Sequence, residues 1–503
     1  MTQFNDGKTP FSFQDPADYQ RLREVFEAAG YQDSGILEAV GTEDARSIKA
    51  RDVPLLLNRT NRGTPLDTLI RLFLIEVPCD AGVVQRAIQP IELEKLAEAG
   101  LVAIHGKSVT AAVKLLPFKG LLVVYDLPTG LQNAVLHDYV MGVGGSSLTL
   151  AGLIVRRQAR MTLDLGTGCG IQALLAAGHS DRVLAVDLNP RAVRLAAFNA
   201  KLNGLTNVAC LEGSLFEPVP GYKFDLVITN PPYVISPEMR YVYRDSGMEA
   251  DQVCEMIVRQ VPQFLEEGGY CQMLCNWVHP AGQDWQERLA GWFTGTGCDA
   301  WVIGYETQEP DTYASTWIRH TERAERDQFG ERFEKWMAYY KQQGIEAISD
   351  GLISMRRASG RANWYRFDDA PQKTTAPCGD HIVRHFELRD FLATVKDDPA
   401  LLSARLRVAP DVQLERHYKP SDEGWLEVPI QIHLNRGFCY SAALDPYVAN
   451  MVLACDGKKP LGELMVQMAS ALGKEPSEIA SNFCKIVRGL IERGFLLPAD
   501  FTN

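Results

Sequence analysis

The chain has 503 residues, of which 46% are hydrophobic and 23% are charged, and its net charge is −12 at pH 7. This length exceeds what one hydrophobic core supports and predicts roughly three domains. The acidic balance excludes a global electrostatic attraction to nucleic acid or to an anionic membrane, although it does not exclude a local basic groove. The first residues carry no basic-then-apolar signal and no apolar run reaches the length of a membrane span, so we expect a cytoplasmic enzyme.

The cysteines are scattered along the chain and form no paired CxxC array. Cys271 and Cys275 lie in a predicted buried strand, where thiols act as small apolar side chains in a reducing compartment. We therefore expect no disulfide framework and no metal site.

Residues 1–128 are predicted to form a small helical domain that ends in strands. Gly100 ends an amphipathic helix over residues 90–99, and Gly106-Lys107 predicts a tight turn between two strands. Helices followed by a hairpin are typical of a winged-helix-like domain. The predicted strands are 101–105, 109–116 and 120–125.

Residues 129–370 alternate apolar strands with helical stretches, which predicts an α/β domain built on a parallel sheet. The order of the strands, with a long gap before the last, predicts a seven-stranded Rossmann-like sheet closed by an antiparallel edge. The predicted strands are 161–165, 183–187, 208–211, 225–229, 269–276, 300–305 and 352–356.

Residues 315–343 fill the long gap with a charged helix that carries interleaved aromatic residues, namely Trp317, Phe329, Phe333, Trp336 and Tyr340. One interpretation is a salt-bridged surface helix with an apolar stripe. The other is a lid or a partner-docking insertion near the substrate entrance. The sequence leaves both open.

A linker at residues 368–380 is rich in Pro, Thr, Gly and Asp and predicts a boundary before a C-terminal domain at 381–503. The helix ending Glu492-Arg493-Gly494 resembles the earlier helix ending Glu98-Ala99-Gly100. Both flanks of the α/β domain are therefore predicted to be α+β, winged-helix-like domains.

A glycine-rich turn follows the first strand of the α/β domain, in the sequence Leu163-Asp164-Leu165-Gly166-Thr167-Gly168-Cys169-Gly170. Glycines let the backbone turn sharply and approach a ligand without a Cβ clash. Asp164 would repel phosphate but suits a ligand with an ammonium group, and Asp187 ends the next strand, where a carboxylate can hold ribose hydroxyls. These features indicate S-adenosylmethionine, and the alternative is a purely structural strand–turn–helix.

The tetrapeptide Asn230-Pro231-Pro232-Tyr233 follows the apolar run 224–229. An amide oxygen and the next carbonyl can accept both N–H bonds of a planar amino or amide nitrogen and favour the pyramidal nitrogen of a transition state. The prolines fix φ and remove competing donors, and Tyr233 can stack on a flat acceptor group. The alternative is a strand followed by a Pro-rich turn.

The block from about residue 142 to 277 resembles the class I S-adenosylmethionine-dependent methyltransferases. Within them it is similar to the branch that carries Asn-Pro-Pro-Tyr, which includes release-factor glutamine, adenine-N6 and small RNA-base methyltransferases. The block covers about a quarter of the chain. The matching stretches are LDLGTGCG (163–170), AVDLNPRAVRLAAFNAKLNG (185–204), LEGSLFEPV (211–219) and FDLVITNPPYV (224–234).

The resemblance implies S-adenosylmethionine as the cofactor and Asn230, Pro231, Pro232 and Tyr233 as the catalytic clamp. The implied cofactor-binding residues are Asp164 near the methionyl ammonium, Gly166, Thr167, Gly168 and Gly170 in the loop, Asp187 on the ribose, Leu188 beside the adenine, and Asn230.

One departure from the family pattern concerns the adenine. Many relatives have Asp or Glu at the end of the third strand, where this chain has Ser214, which can accept one hydrogen bond from the adenine amino group. Residues 142–149 lie where relatives place a loop over the cofactor, and a flexible connector is the alternative.

Two acceptors are compatible with a nitrogen clamp. We expect the exocyclic amine of an RNA base, or less readily of DNA, because of the winged-helix-like flanks and a basic-aromatic stretch (Arg356, Arg357, Arg361, Trp364, Tyr365 and Arg366). The alternative is a glutamine side chain of a partner protein, favoured by the acidic charge. A non-catalytic cofactor-binding scaffold is a third interpretation, opposed by the intact clamp and glycine loop.

Two further residues lie near the predicted clamp or the next strand. Arg244 is a candidate for contacting an anionic or carbonyl group of the substrate. His279 is isolated, and we expect a core or surface position rather than a catalytic one.

Overall fold

A computed structural model describes residues 10–42, 52–127, 138–238, 243–321, 326–421, 424–427 and 429–501. The chain divides into two compact units, the first formed by residues 1–150 and 157–368 and the second by 151–156 and 369–503. Within the described ranges, no helix is long and apolar enough to cross a membrane. The division into domains at 1–128, 129–370 and 381–503 stays a prediction.

The first unit begins with short helices and a small antiparallel sheet. Its elements are α1 (Ala17–Ala28), α2 (Asp33–Val40), α3 (Val53–Arg59), α4 (Pro65–Leu69), a π-helix (Ile70–Leu74), β1 (Cys79–Asp80), α5 (Ala81–Ala87), α6 (Leu93–Glu98), β2 (Val102–His105), β3 (Ser108–Ala111), β4 (Val113–Phe118) and β5 (Leu121–Asp126). β2 and β3 form the expected hairpin, in which His105 pairs with Ser108 and Gly106 takes the positive φ of the turn. β1 adds to β3 in the order β1-β3-β2.

The rest of the first unit is an α/β arrangement around a mixed sheet. Its elements are α7 (Gly145–Leu153), which begins in this unit, β6 (Ala159–Leu165), α8 (Ile171–Ala176), a 3-10 turn (Ala177–His179), β7 (Ser180–Asp187), α9 (Pro190–Leu202), β8 (Val208–Glu212), β9 (Phe224–Thr229), α10 (Gln252–Gln260), a 3-10 turn (Val261–Phe264), β10 (Leu265–Pro280), α11 (Trp285–Phe293), β11 (Cys298–Gln308), α12 (Pro310–Thr321), α13 (Arg326–Gln343), β12 (Ile345–Arg357) and β13 (Tyr365–Asp369).

The sheet corrects two predictions. Within the described residues it has eight strands rather than seven, in the order β13-β11-β12-β10-β9-β6-β7-β8. The antiparallel strand β12 lies between β10 and β11 and not at the edge, because it forms long antiparallel ladders with both neighbours. The edge strand β13 is not predicted from the sequence, because Tyr-Arg-Phe-Asp-Asp is a half-buried, charged segment rather than an apolar run.

Two hydrophobic cores cover the faces of this sheet. One lies between the sheet and helices α10 and α11, with Leu163 and Trp292 among its members. The other joins α8 and α9 to the N-terminal helices, and there Phe198 of α9 lies 5.3 Å from the ring of Tyr19. The N-terminal part and the sheet therefore share a core.

Helices α12 and α13 pack on the chain segment that follows Asn230-Pro231-Pro232-Tyr233. Their buried residues form one cluster with Val234 and Ile235. Ile235 donates its N–H to Tyr313 Oη at 3.2 Å, and Tyr340 donates its hydroxyl to the Ile235 carbonyl at 2.8 Å. Helices α12 and α13 thus bind both backbone polar groups of Ile235, its N–H and its carbonyl.

The second unit has its own core of aliphatic residues and Phe483. Its elements are β14 (Thr374–Thr375), α14 (Gly379–Thr394), α15 (Asp398–Ser403), β15 (Arg405–Val408), β16 (Val412–Glu415), β17 (Tyr418–Ser421), β18 (Gly424–Glu427), β19 (Ile430–Leu434), β20 (Gly437–Phe438), β21 (Ser441–Leu444), α16 (Pro446–Leu453), β22 (Asp456–Pro460), α17 (Leu461–Leu472), α18 (Pro476–Glu492) and β23 (Leu496–Pro498). β23, which follows the last two helices, pairs antiparallel with β15. The winged-helix-like assignment of both flanks stays a prediction.

Candidate active site

A cavity of about 270 Å³ lies where the parallel strands β6, β7 and β9 end. The carboxyl ends of parallel strands share one edge of a sheet, and ligands bind at that edge in open α/β folds. The structure brings to this cavity every residue predicted for the site except Gly170, namely Asp164, Gly166, Thr167, Gly168, Asp187, Leu188, Ser214, Asn230, Pro231, Pro232 and Tyr233.

The glycine turn after β6 is built on positive φ angles, +74° at Gly166, +56° at Gly168 and +89° at Gly170. A Cβ on Gly168 would meet nothing within 4 Å, whereas a Cβ on Gly170 would lie 3.1 Å from the Cβ of Ala196. Gly168 therefore leaves space beside the cavity, and Gly170 allows helix α9 to approach the turn. The Cys169 carbonyl accepts a 2.8 Å hydrogen bond from Asn199 Nδ2, which ties the turn to α9.

Asp164 lies beneath this turn and is 1% exposed. Its Oδ2 accepts hydrogen bonds from Thr167 Oγ1 at 2.6 Å and from the Ala173 N–H at 3.0 Å. Burial raises the pKa of this carboxyl to about 7, because the charged form loses its hydration. Asp164 therefore braces the turn in addition to lining the cavity.

Asp187 ends β7 and faces the same cavity. Its Oδ2 accepts from the Gly168 N–H at 2.8 Å, and its Oδ1 accepts from the Asn189 N–H at 2.9 Å. Burial also raises the pKa of this carboxyl. The next residue, Leu188, exposes 56% of its surface at the cavity.

Ser214 lies in the segment after β8. The preceding Gly213 donates its N–H to the Asp187 carbonyl at 3.0 Å, so this segment is fixed beside the end of β7. Residue 213 has room only for glycine, because a Cβ there would come within 2.3 Å of Pro218 and φ of Gly213 is +154°. The geometry sets Ser214 against the cavity on the side of Leu188.

Asn230 follows β9 and turns its amide toward the cavity. Its Nδ2 donates to Ser146 Oγ at 3.2 Å, while its Oδ1 is buried without a hydrogen-bond partner. A buried, unpartnered carbonyl oxygen costs free energy on the order of 1–3 kcal/mol unless a ligand donates to it. The site therefore holds an acceptor that is ready for an N–H group.

The Asn-Pro-Pro-Tyr turn is compact. The Tyr233 N–H donates to the Pro231 carbonyl at 2.8 Å, and Tyr233 pairs as an isolated antiparallel bridge with Asp245. Burial raises the pKa of the Tyr233 hydroxyl to about 12. Tyr233 is thus neutral at physiological pH, and its backbone is held by Pro231 and Asp245.

Arg244 lines the cavity, but its guanidinium is bound within the protein. It pairs in a bidentate manner with Asp245, through Nε–Oδ1 at 2.7 Å and Nη2–Oδ2 at 3.0 Å, and it lies 5.6 Å from the centre of the Trp336 ring. Both side chains of the ion pair are 1% exposed. Arg244 therefore braces the segment beside the clamp, and its charge is engaged by Asp245 rather than directed at a ligand.

His279 lies outside the cavity lining. Its ring stacks on Trp285 at 5.2 Å, and its Nε2 lies 2.8 Å from Ser349 Oγ. Burial lowers the pKa of this imidazole.

The basic-aromatic stretch is also neutralised within the protein. Arg356 and Arg361 both pair with the fully buried Asp299, and Arg366 pairs with Asp368. Ile353 of β12 aligns with Met273, which aligns with Thr229 next to Asn230. Because β12 runs antiparallel to β10, the residues after Ile353 lead away from the cavity, toward the opposite edge of the sheet.

Sequence reasoning placed residues 142–149 only as a loop or connector. In the structure helix α7 begins at Gly145, and Ser146 Oγ accepts a hydrogen bond from Asn230 Nδ2. The hydroxyls in Gly-Gly-Ser-Ser-Leu-Thr were the available signal. Trp317 of α12, one of the interleaved aromatic residues, and Tyr139 also line the cavity, and no local pattern in the sequence indicates Tyr139.

Comparison with known proteins identifies the family. The Methyltransferase small domain family matches residues 143–293, and two domain families of unknown function match 28–112 and 383–498. A putative protein N5-glutamine methyltransferase of Methanocaldococcus jannaschii is 32% identical over 147 residues, which cover 28% of this chain and 73% of that protein.

Two further relatives are similar to about a third of the chain. The release factor glutamine methyltransferase of Geobacter sulfurreducens is 33% identical, over 30% of this chain and 55% of that protein. The tRNA1(Val) (adenine(37)-N6)-methyltransferase of Actinobacillus pleuropneumoniae is 29% identical, over 33% of this chain and 73% of that protein. The chain therefore belongs to the class I S-adenosylmethionine-dependent methyltransferases, in the branch that carries Asn-Pro-Pro-Tyr.

Proposed function

We propose that this enzyme methylates the side-chain amide nitrogen of a glutamine in a partner protein, with S-adenosylmethionine as the methyl donor. The observation that carries the proposal is Asn230, which lines the cavity and whose side-chain Oδ1 is buried without a hydrogen-bond partner. An acceptor at this position recognises an N–H group, so it favours a planar nitrogen over an oxygen or carbon nucleophile.

The residues around the cavity fit the cofactor. Gly168 leaves the space that a Cβ would fill, and Asp187 keeps its carboxylate at the cavity with lone pairs to spare. We propose that Asp187 holds the ribose hydroxyls, that Asp164 and the Gly166–Gly170 turn hold the methionyl end, and that Leu188 and Ser214 flank the adenine. When bound, the cofactor supplies an electrophilic methyl carbon on a positively charged sulfur.

The chain's own residues position the acceptor nitrogen. Asn230 Oδ1 and the Asn230 carbonyl would accept its two N–H bonds, which draws its lone pair out of conjugation and toward the methyl carbon. Asn230 would keep the nitrogen in this position while it takes the methyl group that the cofactor would supply and loses its surplus proton. Tyr233 would pack on the flat amide and exclude water from it.

The choice of a protein acceptor rests on charge. Arg356 and Arg361 share the carboxylate of Asp299, and Arg356 lies on the part of β12 that leads away from the cavity. The net charge of −12 gives the chain no overall attraction to a phosphate backbone. Two of the relatives are glutamine methyltransferases by name, which agrees with this acceptor.

An RNA base is the second candidate. The β2–β3 hairpin with its added strand β1 has the arrangement expected of a winged-helix-like domain, and one relative is a transfer RNA adenine methyltransferase by name.

The test uses methyl-labelled cofactor and a cell lysate treated with either nuclease or protease. Label that survives nuclease, is lost with protease and maps to methylated glutamine by peptide mass spectrometry supports the proposal. Label that is lost with nuclease and survives protease contradicts the protein acceptor and supports the RNA base.

The clamp is tested with Asn230→Ala, and Asn435→Ala is the control because it removes an exposed amide from the second unit. We expect Asn230→Ala to lower turnover by about 100-fold or more, since donors and acceptors aimed at a transition state have effects of that size. Its affinity for the cofactor should stay within several-fold of the wild-type value. An equal loss of turnover and of cofactor binding would contradict the clamp.

A further inference from the structure

Part of the cavity wall comes from a short stretch of chain before helix α7, residues 138–142, which is called the wall segment below. Four of its residues line the cavity, namely Tyr139, Val140, Met141 and Gly142. The wall segment lies between the two family matches at 28–112 and 143–293, and so does Asp126, the last residue of strand β5. The placement of this wall therefore depends on residues that precede the match to the Methyltransferase small domain family.

The end of strand β5 supports the wall segment at two points. Asp126 Oδ2 accepts a hydrogen bond from the Val140 N–H at 2.8 Å, and the Asp126 N–H donates to the Val140 carbonyl at 3.3 Å. Gly142 packs on the ring of the neighbouring Tyr125, where a Cβ would lie 2.2 Å from the ring carbons. Both the backbone and the close packing of the wall segment are thus fitted to β5.

Arg191 of helix α9 joins this support to the turn after β7. Its guanidinium pairs with Asp126, with Nε 2.9 Å from Oδ2, and the two side chains are 11% and 4% exposed. Asn189 accepts from the Arg191 N–H at 2.9 Å and donates from Nδ2 to the Asp138 carbonyl at 2.8 Å. The backbone N–H of Asn189 donates to Asp187. A closed ring of hydrogen bonds therefore connects β5, the wall segment and the turn that carries Asp187.

We propose that Tyr125 and Asp126 are positioning residues that hold the wall segment as a preformed wall of the S-adenosylmethionine site, a role that rests on the proposed function. A wall that is already in place does not have to be ordered when the ligand binds, so its attachment favours affinity. The ring of hydrogen bonds passes through Asn189, next to Asp187 and Leu188. Its effect is therefore on the binding of the cofactor at its ribose and adenine end.

The test replaces Asp126 with asparagine in the full chain. An amide has one oxygen where the carboxylate has two, so the N–H of Val140 or an N–H of Arg191 would face an NH₂ group. The dissociation constant for S-adenosylmethionine, measured by isothermal titration calorimetry, should rise about tenfold. Without cofactor, amide hydrogen exchange of the peptide that covers the wall segment should become faster than in the wild type.

Asp18→Asn is the matched control. Asp18 is 2% exposed and pairs with Arg21 and Lys95, and none of these three residues lines the cavity. This substitution also removes a buried charge from the first unit, but it leaves the wall segment untouched. The affinity for S-adenosylmethionine and the hydrogen exchange of the wall segment should both stay at the wild-type values.

Gly142→Ala tests the attachment without changing a charge, and it decides the matter if Asp126→Asn does not fold. The new Cβ would overlap the Tyr125 ring, so this variant should also weaken cofactor binding, whereas Gly178→Ala, with open space around its Cβ, should not.

The outcomes separate this inference from the function on which it rests. An unchanged affinity in the folded variants of Asp126 and Gly142, or an equal loss in Asp18→Asn, would overturn the positioning role while the cofactor assignment stands. A wild-type protein that does not bind S-adenosylmethionine would instead overturn the proposed function.

Discussion

Asp164→Asn is predicted to stabilise the protein at neutral and alkaline pH. The two hydrogen bonds to Asp164 both reach Oδ2, from Thr167 and from the Ala173 N–H, so an asparagine oxygen in that position can accept both. The substitution removes the capacity to ionise and puts an NH₂ group in place of Oδ1. Because Asp164 is 1% exposed, its charge has almost no hydration in the folded state.

The magnitude follows from the pKa of Asp164. Burial raises this pKa to about 7 from an ordinary value of 3.8. Between those values the folded protein holds a proton that the unfolded chain has released, so the free energy of unfolding falls as the pH rises from about 4 to 7. At about 1.4 kcal/mol per pH unit, the wild type loses about 2 kcal/mol at pH 5 and about 4 kcal/mol at pH 8, and the asparagine variant loses nothing.

The assay is urea unfolding of both proteins at pH 5 and pH 8, without cofactor and followed by tryptophan fluorescence. The stability difference in favour of Asp164→Asn should grow by about 2–3 kcal/mol between the two pH values. A difference that is constant, or that shrinks as the pH rises, would refute the reasoning. The same variant should bind S-adenosylmethionine more weakly at pH 8 if Asp164 faces the ammonium group, so its binding and its stability should change in opposite directions.

Two further predictions concern stability. Gly170→Ala should cost about 1–3 kcal/mol, because φ is +89° and the new Cβ would lie 3.1 Å from Ala196, whereas Gly178→Ala, with open space around its Cβ, should change the melting temperature little; equal melting temperatures for the two variants would contradict this. Asp299→Asn should cost about 3 kcal/mol in urea unfolding, because it leaves the largely buried Arg356 with a neutral partner. Glu255→Gln, in a part-exposed pair with Arg259, should cost less than about 1 kcal/mol, and a similar loss in both variants would argue against the difference in burial.

The sequence predicts the strands that consist of apolar segments. It does not predict the order of strands in the sheet where that order depends on pairing between distant segments. Strands β6, β7, β8 and β9 coincide with segments that are rich in apolar residues. The position of β12 inside the sheet depends on ladders with β10 and β11 that no local pattern encodes. The edge strand β13 has one face on the protein and few apolar residues, so its segment reads as a charged loop.

The candidate site also has a part that the sequence predicts and a part that it does not. The glycine turn, Asp187 and Asn230 lie directly at strand ends, so their common edge follows from the parallel order of the strands. No local sequence pattern predicts the contacts of Ser146 and Arg244. Ser146 contacts Asn230, and Arg244 contacts Asp245 and Trp336. The arginines near residue 360 resembled a nucleic-acid surface because sequence alone does not show that Asp299 lies among them.

Tyr313 and Tyr340, whose hydroxyls bond to the backbone of Ile235, set a lower limit on the length of a catalytic region that can fold alone. The family match ends at residue 293, before Tyr313 and Tyr340. A protein truncated there would leave the N–H and the carbonyl of the fully buried Ile235 without these partners, at a cost on the order of 1–3 kcal/mol for each group. Chimeras that exchange the catalytic region between relatives therefore need to extend through β12, because the segment that carries the clamp is held in part by a hairpin of helices encoded about 80 to 110 residues downstream.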